Sequence, residues 1–474
     1  MACKKKLHRY RPKADPGQPI LVPTQRTLVR VRHEPADPQS LQRGVRQLLA
    51  DKVCGNLVGL WLLVPEHLRL GTWELLCAWS GQPGETYQPR LALQLVHEAA
   101  LCVTSLRDQR SLSQKGFELA CGLPFLATDA AVHRLLAEHT IAEAQQLQLA
   151  LGKLRRASGH FRGLLLAVDP HRVRSWSKRQ MRRHACRDQK PTKVAQTFFC
   201  LDADTCQPVC FTTATSARSA ADAAPELLAL AADILQPQPG QTLVMADSEH
   251  FAADLFDQVH RQTRFDLIVP MPNKRSIKRR LHQLPDQLFQ RRWAGFATAT
   301  VPYQMSHSPH RYYQLVQRSG ERPEHYSFSA FLATRDCDQV QALAVDYPKR
   351  WHIEEFFNSE QRLGWKRAGT QNLHIRYGQM SLALIAQALL YQLRQRLGPP
   401  YQNYSAEHLA DGLLRALEGD IRVRGDTIIV TFYNATNADR LQAHYQGLPE
   451  KLAAEGIDPR IPWLYDFKLD FRFR

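Results

Sequence analysis

Apolar and polar positions along the chain change rhythm twice. From residue 39 to about 157 the apolar residues recur at steps of three and four, the mark of helices with one buried face. "SLQRGVRQLLADKV" opens this stretch, with Ser40 placed as a cap, and "YQPRLALQLVHEAALCVTSL" continues it. Within "GFELACGLPFLATDAAVHRLL" the pattern breaks at Gly-Leu-Pro and restarts at Thr-Asp. That spacing suits a helix-turn-helix, although any helical hairpin reads alike. Residues 14–38, rich in Pro, Asp and Gln, read as a linker behind a basic arm, "MACKKKLHRYRPK".

Near residue 160 the steps shorten. "GLLLAVDPHRV" is an apolar run that ends at Asp169, and "AQTFFCLDADT" and "QPVCFTTATS" predict a hairpin. A helix over "SAADAAPELLALAADILQP" precedes a second apolar run, "QTLVMADSEHF", ending at Asp247. Another helix and the strand "FDLIVPMP" follow. Strand, strand, strand, helix, strand, helix, strand predicts an α/β domain, a mixed sheet flanked by helices, over residues 158–397. Strand-like pieces at about 288–336 predict a β-rich insertion. Helical rhythm then returns through "DYPKRWHIEEFFNSEQRLGW" and "GQMSLALIAQALLYQLRQRLG". Residues 398–474 carry a hairpin signal, "DIRVRGDTIIVTFYN". The organisation expected is thus 1–38 arm and linker, 39–157 helical region, 158–397 mixed α/β domain and 398–474 C-terminal region.

Composition narrows the partners. The 474 residues include 62 Lys plus Arg against 45 Asp plus Glu, a net charge of +17, which favours a polyanion. No run reaches the ~18 apolar residues of a membrane span, and no apolar stretch follows the basic N-terminus as in a secretory signal. The ten scattered cysteines resemble no disulfide framework and point to a reducing cytoplasm. His184, Cys186, Cys200, Cys206 and Cys210 cluster without a CxxC pair. Packing of Cys200, Cys206 and Cys210 along one sheet face is a better account of them than zinc.

Asp169 and Asp247 each close an apolar strand, where functional side chains emerge in α/β sheets, although a lone aspartate there is commonly a turn cap. On a helix at about 100° per residue, Tyr347, Arg350, Glu354 and Gln361 fall within roughly 60° of one another, and Glu355 points away. Three convergent carboxylates repel unless cations neutralise them, and oxygen ligands suit Mg²⁺ or Mn²⁺.

Tyr347, Arg350 and Glu354, in "YPKRWHIEEFF", fit the Tyr-Arg-Glu-Lys signature of a group of insertion-sequence transposases. With Asp169 in "LAVDPH" and Asp247 in "VMADSEHF", residues from about 120 to 395 resemble a DDE-type transposase with an RNase H-like catalytic domain. Gln361 replaces the signature's lysine, with Arg362 and Lys366 as nearby substitutes. The resemblance implies a bacterial, nucleoid-associated enzyme that cleaves element ends and joins them to target DNA. It implies two Mg²⁺ or Mn²⁺ ions on Asp169, Asp247 and Glu354, and a homodimer assembled on double-stranded DNA. The alternatives are a non-catalytic DNA-binding derivative and an RNase H-like nuclease without strand transfer. DNA contacts are expected from Tyr347, Arg350, Gln361 and Arg362. Further contacts are expected from Lys178, Arg179, Arg182 and Arg183 in the basic run after Asp169, and from Lys274 and Arg275 in "KRSIKRR". Trp293, at the insertion's entrance, could stack on an unpaired base, though packing is the commoner fate of a tryptophan.

Overall fold

The computed structural model describes residues 37–474 except 56, 104–110, 176–182, 187–188, 367–369 and 371, with residues 185, 186 and 189 described by their backbone alone. Lys178, Arg179 and Arg182 lie outside the described residues.

One nine-stranded sheet organises the chain. Its first five strands are β1 (Leu165–Arg174), β2 (Val194–Asp202), β3 (Gln207–Thr215), β4 (Thr242–Ala246) and β5 (Phe265–Pro270). They lie in the order β3-β2-β1-β4-β5. β1, β4 and β5 are parallel, and the β2–β3 hairpin runs antiparallel beside them. This is the mixed sheet of an RNase H-like domain. All nine residues of β2 are buried, which explains why "VAQTFFCLD" reads as a run without alternation. Cys200 and Cys210 face each other across β2 and β3 in the core, as expected. Cys206 departs from that expectation: it sits in the intervening turn with φ +56°. Among the described residues no group of three or more His, Cys, Asp or Glu is placed to hold a metal ion.

The insertion continues the same sheet. It supplies β6 (Gln290–Trp293), β7 (Phe296–Gln304), β8 (Arg311–Ser319) and β9 (Ser327–Ala333). β9 pairs antiparallel with β5 through Phe331↔Pro270, Leu332↔Val269 and Ala333↔Ile268, and β8, β7 and β6 follow outward.

Alternate side chains split between two cores. Leu166, Val168, Val244 and Leu267 face α1 (Ala220–Leu235) and α2 (Ala253–Gln262). Leu165, Ala167, Phe199 and Met245 face the other way, toward α3 (His352–Glu360) and α4 (Leu373–Leu397). The second core does not stop at the nine-stranded sheet. It runs from Leu41 through α4 to Phe471, so the N-terminal helices, the sheet and the C-terminal region share it. A four-stranded sheet completes the union, because Val53–Gly55 pairs with Gly419–Arg424. The hairpin expected near the C-terminus is present there, turning at Gly425, whose φ of +61° suits the tight two-residue loop.

Two local expectations change. The first helix spans Pro38–Ala50, and Asp37, not Ser40, caps it by accepting the Ser40 amide at 2.7 Å. The candidate helix-turn-helix forms helices Lys115–Ala120 and Asp129–Glu138. The first is largely buried, and the second exposes Asp129, His133, Arg134 and Glu138, a face of mixed charge. Among the described residues no helix is long and apolar enough to cross a membrane.

Candidate active site

The two aspartates meet where a parallel ladder stops. β1 and β4 pair up to Val168↔Ala246, and the next residue on each strand is Asp169 and Asp247. Asp169 does not end its strand, as expected from the apolar run. β1 continues to Arg174 because β2 still pairs with it on the other side. Alternation points Asp169 and Asp247 to the face that α3 covers, the same face as Ala167 and Met245. Asp247 opens a 3₁₀ turn, Ser248–His250. Its Oδ1 accepts from the Glu249 amide at 3.0 Å and pairs with Nδ1 of buried His250 at 2.8 Å. Glu249 is gripped in turn by both terminal nitrogens of Arg172.

Helical geometry changes three times through the glutamate segment. A π-helical turn, Gln341–Asp346, gives way to a 3₁₀ segment, Tyr347–Trp351. Next comes α3, and then a further 3₁₀ turn, Gln361–Leu363. Pro348, which lacks an N–H, sits just past the first junction, in the opening turn of the 3₁₀ segment. The continuous α-helix assumed from sequence is therefore corrected. The stripe survives the change, since three residues of 3₁₀ helix make one turn and align Tyr347 with Arg350. Arg350 bridges two carboxylates, with Nη1 3.5 Å from Asp169 Oδ2 and Nη2 3.3 Å from Glu354 Oε1. Glu355 points outward and is exposed.

Both ends of this segment are fixed to the body of the domain. Tyr347 donates its hydroxyl to the Ala246 carbonyl at 3.0 Å and packs edge-on against Phe331. Lys349 pairs with Asp204 at 2.8 Å, and His352 Nδ1 donates to the Ala203 carbonyl at 2.7 Å, in the β2–β3 turn. At the far end buried Glu360 pairs with Arg394 of α4 at 2.8 Å. Tyr347 was expected to touch DNA; its hydroxyl instead holds the segment to β4, one residue from Asp247.

Burial, and after it the neighbouring charges, set the electrostatics. Burial first, and then the neighbouring Asp247 charge, push Asp169 up to about 7 despite Arg350. Burial also acts against Asp247, but the His250 hydrogen bond and charge outweigh it and hold the group below the usual carboxylate range. Burial raises Tyr347 to about 12, so it stays a neutral donor. Asp169, Asp247 and Glu354 offer the oxygen donors a divalent cation takes, and the raised Asp169 marks negative charge that lacks a full counter-charge. The donor set suits such a cation in chemistry, and Arg350 stands between Asp169 and Glu354 in this structure.

The other expected contacts are spread over the surface. Gln361 lies past the end of α3 and donates to the Asn358 carbonyl at 3.4 Å. Arg362 pairs with Glu407 at 3.4 Å. Arg183 is exposed and reaches the Pro191 carbonyl at 3.5 Å. Lys274 and Arg275 are exposed at the start of helix Arg275–His282. Trp293 is 49% exposed and stacks on Phe296, with ring centroids 4.3 Å apart. Its edge strand lies five strand spacings from β4, about 24 Å at ~4.8 Å each. Sequence reasoning missed His250, His352 and the Glu360–Arg394 pair. Only His250 left a signal, three residues after Asp247.

An RNase H-like sheet with aspartates on adjacent strands and a glutamate on the covering helix defines a carboxylate-centred α/β domain. Residues 160–389 match the family described as "Transposase DDE domain", and over that stretch the chain is similar to DDE-type transposases. A structure titled "Cryo-EM structure of piggyBac transposase synaptic complex with hairpin DNA (SNHP)" aligns over 77% of this chain and 82% of its own. The identity is 12% and the TM-score 0.38. No curated protein sequence matches the chain.

Proposed function

We propose that the chain is a DNA transposase that cleaves phosphodiester bonds at the ends of a mobile element and transfers the freed strands to a target. The observation that carries this reading is that Arg350 bridges Asp169 and Glu354, with Asp247 beside Asp169 at the end of the parallel ladder. Three carboxylates around one cationic group are costly as a purely structural device and well suited to receiving cations. Two Mg²⁺ or Mn²⁺ ions, when bound, would activate the attacking oxygen and stabilise the leaving one. The protein's own part is placement. His250 fixes the rotamer and charge of Asp247. Tyr347, Lys349 and His352 fix the height of Glu354 over the sheet. Arg350, released from Asp169, is positioned to take a phosphate oxygen of the strand.

The test is Mg²⁺-dependent cleavage of DNA carrying the element's ends, with binding measured separately. Asp169→Asn, Asp247→Asn and Glu354→Gln should each abolish cleavage and leave DNA binding within about threefold, because each keeps the local shape. Full cleavage by any one of them would remove that residue from the chemistry.

A further inference from the structure

Beyond Asp169, β1 leads into a second polar site. His171 lies two residues on, on the same face and about 6.6 Å along the strand. Its ring packs on Phe357 of α3, with centroids 4.7 Å apart. Across the sheet it pairs with Thr197, and Thr197 with Thr213. Arg376 of α4 reaches under this row. It donates to the Thr197 hydroxyl at 3.3 Å and the Ala214 carbonyl at 3.4 Å. Lys366 is exposed, and it and Arg376 both lie close enough to act on the His171 charge.

Three features set this site apart from an ordinary structural network. Arg376 is 2% exposed, yet among the described residues no carboxylate pairs with it. The chain has no Asp or Glu anywhere from 361 to 380. Three buried polar atoms, Arg376 Nε, His171 Nδ1 and Thr213 Oγ1, have no hydrogen-bond partner among the described residues. A buried guanidinium without a counter-charge is strongly unfavourable. Its two carbonyl and hydroxyl contacts satisfy single N–H groups and leave the charge itself unmatched. The planar donors of an arginine so placed match phosphate oxygens.

We propose that Arg376, His171 and Lys366 form a subsite for one backbone phosphate of the DNA strand, neighbouring the phosphodiester that faces Asp169. The proposal rests on the reading of this face as the one that takes DNA. It adds a fixed anchor that sets which phosphate reaches the carboxylates.

The experiment is a methylphosphonate scan. Single phosphates of an end-containing duplex are replaced one at a time by the neutral methylphosphonate. Binding is measured in EDTA, so that cleavage plays no part. Wild type should lose affinity about tenfold at one position beside the cleavage site. Arg376→Gln and Lys366→Gln should weaken binding of the unmodified duplex and no longer respond at that position. A structural role for Arg376 would lower affinity or stability while leaving the response in place, and that result overturns the proposal. Lys366 is exposed, so Lys366→Gln decides the matter if Arg376→Gln fails to fold. Thermal protection by inorganic phosphate that needs Arg376, with no sensitive position in the duplex, would assign the site to a free anion and also overturn it. Binding that responds at this position in a protein that never cleaves would sustain the subsite while defeating the catalytic reading.

Discussion

Replacing Asp169 by asparagine should stabilise the cation-free protein above neutral pH. The carboxyl titrates near 7 in the fold, because burial and Asp247 disfavour its charged form, against about 3.9 in an unfolded chain. The folded state therefore holds an extra proton between about pH 4 and 7. Its stability falls as pH rises through that window and levels off above it. Roughly three units at about 1.4 kcal/mol each set a ceiling near 4 kcal/mol on the cost of the ionised Asp169 at pH 8. Asparagine keeps the shape without the charge and should recover about 2–4 kcal/mol there, and almost nothing at pH 4. Urea unfolding of both proteins in EDTA at pH 4, 6 and 8 measures this directly. Adding Mg²⁺ should stabilise wild type and leave the variant nearly unchanged. Equal midpoints at pH 8, or a difference that grows toward acid, would refute the account of Asp169 as a crowded and under-compensated carboxylate.

His250→Ala removes the partner that keeps Asp247 ionised, so the acid limb of the cleavage pH profile should move to higher pH; an unmoved limb would make His250 a packing residue only. Glu354→Ala should eliminate cleavage and Glu355→Ala should retain most of it, since only Glu354 faces Arg350; loss in Glu355→Ala alone would show that the segment's phase is wrong. Glu360→Gln leaves Arg394 buried without its counter-charge and should cost about 3–5 kcal/mol in urea unfolding; a cost under about 1 kcal/mol would mean that water reaches the pair.

Local order carried the three carboxylates into view. Asp169 and Asp247 stand out because a polar residue interrupts an apolar run just where a parallel neighbour stops. Glu354 separates from Glu355 because a spacing of three and then four keeps one face in either helical geometry. Contacts distant in sequence left no such trace. Arg350 has the spacing of an ordinary salt bridge with Glu354, and nothing in the chain shows Asp169, 181 residues away, on its other side. Tyr347 reads as a surface residue of the stripe, and only the approach of β4 turns its hydroxyl inward. The insertion's strands were legible, but their joining to β5 was not, because edge pairing depends on backbone groups that every residue shares.

The pairing of Val53 with Ile421 makes the order of synthesis matter. These partners are separated by 421 − 53 = 368 residues. At about 5–20 residues per second, the first leaves the ribosome roughly 20–70 s before the second. Throughout that interval the N-terminal helices expose the apolar faces of Leu41, Val45, Leu60 and Trp61, which α4 and the C-terminal sheet later cover. An interrupted chain is thus left with sticky, unfinished helices. Chaperones and proteases have a long opportunity to remove it. Fragments ending before residue 419 should be found aggregated or degraded, while chains reaching residue 474 accumulate in folded form.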